Sequence, residues 1–582
     1  MNYKQKISKY LSKFELDESL ISSLIQDTEL KNGDFALPVF RIAAITQQNP
    51  MQFAINLTGK INSDKDKPDW LDKAEAAGGY INFHLNREQF IKDTLSFITN
   101  KGDEFLPFPP NKKTITIDYS SINIAKDFHI GHLLTTAIGG SLYRIFKFLG
   151  YNTIGINHIG DWGTQFGKLI YAVKAWGNGK AISSMEELSA LYVKYHQEAD
   201  KDKTLDDKAR EWFKRIEQGD KAATALFNEF KKITLKEVDK TYDLLGIKFD
   251  SYDGESFYND KMQIVIDELK NKKLLKESDG AFVVEMGGDE PPCMILKSDG
   301  ATLYATRDLA AALYRKKTYD FYENLYVVAY QQNLHFKQVF KVLEMMGYEW
   351  AKNCKHIPFG MVSLEGGESL STRKGNVVLL KDVLATSISK TMEIMKDRGI
   401  ENKERVAKEV GIGAVVFFAL YNQRIKDVVF SYDKALNFDG ETGPYLMYTH
   451  ARCCSVLEKA IGTGVSDCLC FGNKSSNGRA GTPAAINSVI GKHLIDDTTY
   501  EVIRLLNKFD SIIAEAAAKY EPSIVARYLM DLAQSYNKFY FENKIIIDDK
   551  TKSKARLLLT KCVKNTLKNG MKLILLNAPN KM

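Results

Sequence analysis

Two histidines, His129 and His132, stand three residues apart with Gly131 between them, where an alternating stretch gives way to helical periodicity. At that spacing both imidazoles share one helical face. A helix start carries unsatisfied N–H groups and the positive end of the helix dipole, so it attracts anions. Gly131 removes a side chain where a phosphate or a planar base must come close. The chemistry this suits is stabilisation of negative charge on a triphosphate during attack at its α-phosphorus. Other phosphate-binding patterns fail. A P-loop ending at Gly167-Lys168 would need glycine in place of Trp162 and Ser or Thr in place of Leu169, and no G-x-G-x-x-G follows a strand.

The elements that must position this loop are legible on both sides of it. Lys112 to Ser120 alternates like a strand, and Leu133, Leu134, Ala137, Ile138, Leu142, Ile145 and Leu149 have helical spacing. Gly150 to Asp161 reads as the next strand, completing a β-α-β unit of the doubly wound kind. Phe321 to Tyr330 has the pattern of a further buried parallel strand. Between them, from about 172 to 290, the chain is charged and is expected to form a helical insertion. Pro107, Pro109 and Pro110 mark a boundary. Before it lies an α+β module over 1–106, with a helical start and a strand near Gly78 to Asn86. A parallel-sheet α/β domain of Rossmann type is expected over 111–385 and a helical domain over 386–582. The Gly/Ser/Asn-rich stretch Gly462 to Pro483 reads as a surface loop.

Composition narrows the class. With 582 residues, 44% apolar and 11% aromatic, the chain is too rich in core formers to be disordered. Its longest apolar run, Ala414 to Leu420, falls far below the roughly 18 residues of a membrane span. The first residues are charged and do not form a secretory signal. Seven cysteines without a C-x-x-C pair point to free thiols in a reducing compartment and away from a zinc ribbon. A cytoplasmic enzyme without membrane attachment is expected. The net charge is +7, and 541–582, with ten basic and three acidic residues, carries all of that excess. Charge alone leaves this segment open as a solvated face or a phosphate track.

His129-Ile130-Gly131-His132 spells the first signature of class I aminoacyl-tRNA synthetases. Its surroundings, SSINIAKDFHIGHL, and Asn157 to Ile170, NHIGDWGTQFGKLI, resemble the arginyl-tRNA synthetases specifically. Leu303 to Ala311, Tyr326 to Gln338, Phe359 to Leu380, Glu441 to Val456 and the C-terminal NGMKLILLNAPNKM agree in order. The resemblance implies activation of arginine by ATP, carrying Mg²⁺, to arginyl-adenylate, then transfer to the terminal adenosine of tRNA(Arg). His129, Gly131, His132, Gly160 and Asp161 match ATP positions, and Lys126 matches a lysine beside the phosphates. Asp118, Ser121 and Asn123 match positions around the amino acid. A guanidinium is a planar fork of donors that needs carboxylates and hydroxyls. Tyr304 and Asp308, four apart on one helical face, fit that need, as does Gln332.

The second signature corresponds to Ser369 to Arg373, where Ser371, Arg373 and Lys374 are expected to hold ATP and its leaving pyrophosphate on a glycine-rich loop. Tyr80 and Asn82 match positions that meet the tRNA D-loop, and Tyr536 and Tyr540 match aromatic positions at the anticodon. Stacking on unpaired bases beside a basic track is how single-stranded RNA is read. The helical domain is thereby an anticodon-binding one. No His/Cys ligand set suggests a protein-bound metal, and a monomer is expected. Two other readings stay open: a nucleotidylyltransferase sharing the H-x-G-H loop, and a catalytically silent tRNA-binding paralogue. The first would need neither the Tyr304/Asp308 pair nor the long helical end. The second would have a decayed histidine loop.

Overall fold

The computed structural model describes residues 3–124, 126, 128–298, 302–365, 378–461 and 491–582. The N-terminal module is an antiparallel sheet of β1 (Gln26–Asp27), β2 (Phe35–Pro38), β3 (Leu71–Ala77) and β4 (Tyr80–Leu85), in the order β1-β2-β4-β3. Gly78 and Gly79, at φ +55° and +87°, make the tight turn between β3 and β4, a conformation that matches the strand twist and disfavours side chains. Alternation along β4 buries Ile81, Phe83 and Leu85 and leaves Tyr80, Asn82 and His84 on the other face. The helix Arg87–Asn100 follows at once because the Asn86 carboxamide accepts from the Gln89 N–H. The proline segment has no regular structure.

The central sheet has the order β11-β10-β5-β6 and is parallel throughout: β5 (Thr114–Asp118), β6 (Asn152–Ile156), β10 (Glu323–Tyr326) and β11 (Cys354–His356). Asp118 is in register with Ile156 on one side and Tyr326 on the other, so three strands end together. The helix Leu133–Phe148 crosses from β5 to β6, as the apolar spacing requires.

The insertion differs from expectation in its last third. Helices occupy Met185–Lys201, Thr204–Glu217, Lys221–Leu245 and Met262–Asn271, but an antiparallel sheet follows, of β7 (Leu275–Ser278), β8 (Ala281–Val284) and β9 (Cys293–Leu296). Asp279 and Gly280 lie at φ +48° and +79°, a two-residue Asp-Gly hairpin turn inside a charged stretch. That turn signal outweighs the surrounding charge. From β9 the chain passes to the helix Tyr304–Tyr319, where the Thr306 hydroxyl donates to the Ile295 carbonyl at 2.6 Å.

A second parallel pair, β12 (Val362–Leu364) with β13 (Val428–Phe430), brackets the stretch that holds the second signature. Helices Lys403–Tyr421, Gly443–Ile461, Asp497–Ala518, Ser523–Glu542 and Lys550–Leu573 complete the chain. The last two pack so closely that a Cβ on Gly570 would lie 2.4 Å from Leu529. The final helix also closes onto the front of the molecule. Asn569 accepts from the Phe105 N–H at 2.9 Å and donates to the Asp103 carbonyl at 3.1 Å, and Ser141 and Arg144 donate to the carbonyls of Leu573 and Lys572. Part of the C-terminal basic excess is paired within the molecule: Lys568 and Lys572 reach Glu104, Lys581 reaches Glu458, and buried Arg556 donates to the Lys544 carbonyl. The loop expected over 462–483 lies outside the described residues. No helix among the described residues is long and apolar enough to cross a membrane.

Candidate active site

Backbone geometry fixes the two signature histidines. The Gly131 N–H donates to His129 Nδ1 at 3.1 Å, and the His129 N–H donates to His132 Nδ1 at 3.2 Å. Because His129 Nδ1 accepts, that ring carries its proton on Nε2, whereas His132 Nδ1 lies between the N–H and the carbonyl of His129, at 3.2 and 3.3 Å, and is served in either tautomer. Burial, with the Lys126 charge nearby, pushes His129 down to about 4. Burial and the adjacent His129 push His132 down to about 3. Both rings are therefore neutral donors at pH 7, not cations, and the positive field comes from Lys126 and the helix start. The loop is also pinned to the chain just beyond the second signature. Ile130 N–H donates to the Val378 carbonyl and Leu380 N–H to the Phe128 carbonyl, at 3.1 and 2.9 Å.

Between β5 and the histidines the backbone is held in a rare shape. Ser120 and Ser121 have φ +69° and +44°, which costs free energy in non-glycine residues. Compensating bonds hold them: Ser120 N–H donates to Thr135, Ser120 Oγ lies 2.7 Å from the Tyr242 hydroxyl, and Ser121 donates to Asp118 Oδ1 at 2.7 Å. Asn123 bridges to Gly160, and a Cβ on Gly160 would sit 2.1 Å from Asn123 Oδ1. A side chain there would displace the Asn123 carboxamide.

Two carboxylates expected at the substrates turn inward instead. Asp118 is buried, with Oδ2 accepting from Arg315 Nη2 at 2.7 Å and Oδ1 from Ser121. Its oxygens are committed to the protein, so its contribution to the amino-acid pocket is indirect. Asp161 is fully buried and accepts from Lys231 at 2.6 Å and from the Ser256 hydroxyl and N–H at 2.7 and 2.8 Å. It holds the loop that carries Glu255.

Glu255 was not singled out in the sequence. It lies in the charged stretch without periodicity, and its only local signal is the preceding Gly254, which packs against Ile159 and Asp161 with no room for a side chain. Its carboxyl is 15% exposed and lies 3.5 Å from Arg307. Burial, opposed by Arg307 and reinforced by Asp308 and Asp161, raises it to about 7. Asp308, one turn into the helix Tyr304–Tyr319, accepts from His335 Nε2 at 2.5 Å and lies 4.0 Å from His158. Burial pushes its carboxyl up, but His335, His158 and Arg315 more than offset this and hold it below the usual range. Tyr304 is 66% exposed, and Gln332 is exposed in the single turn after β10. Two acids, unequal in their hold on a proton, thus lie within electrostatic reach of each other beside the segment that follows β6, where Glu255 N–H donates to the Ile159 carbonyl and Asp308 lies near His158. Ser371, Arg373 and Lys374 lie outside the described residues.

The expected RNA contacts divide. Tyr80 and Asn82 share the open face of β4, and Tyr80 meets Phe40 edge to face at 5.5 Å. Tyr540 is 38% exposed, beside the Arg452 guanidinium at 5.2 Å, and Phe541 next to it is 89% exposed. Tyr536 is fully buried, and its hydroxyl donates to Thr560 at 3.2 Å. One helical turn separates it from Tyr540, and that turn carries it into the core, so it is a packing residue and not a stacking platform.

Comparison with known proteins gives one answer for the whole chain. Family models match for the arginyl tRNA synthetase N terminal domain over 1–85, the catalytic domain of tRNA synthetases class I (R) over 96–432, and the DALR anticodon binding domain over 446–582. Among curated relatives, the arginine--tRNA ligase of Alkaliphilus metalliredigens is 46% identical over 591 residues, covering 100% of both chains. That of Clostridioides difficile is 45% identical over 575 residues, covering 98% of this chain and 97% of its own. In fold the chain is similar to the Thermus thermophilus arginyl-tRNA synthetase, with a TM-score of 0.81 at 22% identity, covering 100% and 99% of the two chains. With its histidine loop intact and likeness running from end to end, the chain belongs to the arginyl-tRNA synthetase family.

Proposed function

We infer that this chain joins arginine to tRNA(Arg) in two steps. The carboxylate of arginine attacks the α-phosphorus of ATP, pyrophosphate leaves, and arginyl-adenylate forms. A hydroxyl of the terminal adenosine of tRNA then attacks the acyl carbon and AMP leaves. The observation that carries the reading is the pair Asp308 and Glu255, within electrostatic reach of each other beside the segment after β6, a two-carboxylate arrangement suited to a guanidinium.

The attack requires the carboxylate end of arginine to lie toward the histidines and the guanidinium to point away from them. Ser121 and Asn123 then border the α-amino end, and Asp308, Glu255, Tyr304 and Gln332 the guanidinium. His129, through Nε2, and His132 beside it donate to the phosphate as its charge rises in the transition state, with Gly131 and Gly160 admitting the nucleotide and Lys126 adding charge. Neutral donors suit this task, because they stabilise charge without competing for a proton. Mg²⁺ travels with the triphosphate as part of the substrate. Ser371, Arg373 and Lys374 are proposed from sequence for the leaving pyrophosphate.

For tRNA, Tyr80 and Asn82 face the D-loop, and Tyr540, Phe541 and Arg452 offer stacking surfaces to anticodon bases. Lys544, Lys550, Lys552 and Lys554, which form no ion pair among the described residues, supply the adjoining phosphate contacts. The five described cysteines are all free, which supports a reducing, cytoplasmic setting. A monomer suffices, since one chain supplies every group named. The test is charging of bulk tRNA with each of the twenty amino acids: arginine alone should be attached, and attachment of another amino acid, or of none, overturns the reading.

A further inference from the structure

The two ends of the amino-acid pocket belong to segments far apart in the chain. The strand-end loop, Asp118 to Asn123, borders the carboxylate end, and the helix Tyr304–Tyr319 carries Asp308 at the guanidinium end. What joins them directly is the ion pair of Asp118 with Arg315, 197 residues apart in sequence and 2.7 Å apart in space. Arg315 stands two helical turns beyond Asp308, on the same face of the same helix. Asp118 passes the connection on, because its other oxygen accepts from Ser121 in the strained turn.

This pair is a poor device for stability. Arg315 is wholly buried; its Nε and Nη1 lack a geometric hydrogen bond among the described residues, though its guanidinium lies 5.3 Å from the Tyr326 ring and interacts with the Tyr258 hydroxyl. A buried pair with unmatched donors carries a desolvation cost that well-packed apolar residues of similar volume avoid. What apolar packing cannot supply is direction: the planar guanidinium fixes the angle and separation at which the helix meets the end of β5. We propose that the Asp118–Arg315 pair is a strut setting the distance between the two halves of the pocket, so that the site selects arginine by length as well as by charge. Arg315 is on this view a positioning residue that touches no substrate. The inference rests on the arginine-charging reading above.

The experiment compares charging of tRNA by arginine, by homoarginine, one methylene longer, and by 2-amino-4-guanidinobutanoate, one methylene shorter. It is run on the wild type, on Arg315→Lys, and on the neutral pair Asp118→Asn/Arg315→Gln, which leaves no orphaned charge. The wild type should prefer arginine over both analogues in kcat/KM. In the neutral pair that preference should fall at least tenfold, chiefly through the KM for the amino acid, while tRNA affinity stays within twofold. Arg315→Lys, which keeps the charge and loses the fork, should fall between. Unchanged analogue ratios in the neutral pair overturn the strut, as does failure of both variants to fold, which would make the pair structural alone. Failure of the wild type to charge arginine would instead strike the reading beneath it.

Discussion

Burial holds His129 and His132 neutral, with the His129 proton on Nε2, and this has measurable consequences. Replacing either by alanine should slow adenylate formation about 10²–10³-fold, the worth of one preorganised donor to a developing charge, with tRNA binding retained. Near-normal rates in such variants would remove the histidines from the transition state. Glu255 titrates where the histidines do not. Above about pH 7 it is ionised and ready for a guanidinium, and below that pH a proton must leave before arginine binds. The KM for arginine should therefore rise up to about tenfold per unit as pH falls below 7, while kcat at saturation stays level. Glu255→Gln should abolish that dependence. The same variant should also stabilise the unliganded protein. A carboxyl raised from 4.5 to about 7 burdens the folded state by on the order of 3 kcal/mol above pH 7, and the burden disappears as pH falls to 4.5. If thermal denaturation at pH 8 shows no gain, Glu255 is not held in the environment described. Asp308→Asn is expected to raise the KM for arginine far more than that for ATP. Breaking a buried charged pair costs about 3–5 kcal/mol, and lysine should stay a poor substrate because one ammonium cannot fill a forked set of acceptors.

At the scale of elements, the sequence was most readable where period and burial agree. The strand over Thr114–Asp118, the crossing helix and the strand over Asn152–Ile156 stand where alternation and helical spacing put them. Charge misled where a turn governed, as at Asp279-Gly280, whose hairpin lies in a stretch read as helix. Side-chain direction was the other gap. Asp118 and Asp161 match the family pattern, but only tertiary contacts show that Arg315, Lys231 and Ser256 claim their oxygens. The helix Ser523–Glu542 makes the point testable. Tyr536→Phe should destabilise the fold by about 1 kcal/mol, the net worth of a buried hydrogen bond, without altering tRNA affinity. Tyr540→Ala should do the reverse, removing about 1–3 kcal/mol of stacking and leaving the denaturation midpoint in place. Identical behaviour of the two variants would contradict their opposite burial.

Over the whole molecule, the basic excess of the C-terminal segment separates into lysines that hold the fold together and lysines that face outward. Neutralising Lys544, Lys550, Lys552 and Lys554 should weaken tRNA binding and lower its log–log salt slope by about 0.7 for each phosphate no longer neutralised. Neutralising Lys568 and Lys572, which sit on Glu104, should loosen the N-terminal module and leave the slope unchanged. Equal slopes in both sets would assign the outward lysines to solvent. The placement of the final helix also bears on the order in which the protein is made. Ser141 and Arg144 lie on the helix that follows the histidine loop, and Phe105 and Asp103 on the segment that leaves the first module, yet their partners are residues 565–573. A ribosome has to translate past residue 573 before all of those bonds can form. The histidine loop leaves the ribosome more than 400 residues before the helix that buttresses it, so until residues 565–573 have been made the helix behind that loop lacks the carbonyl partners of Ser141 and Arg144.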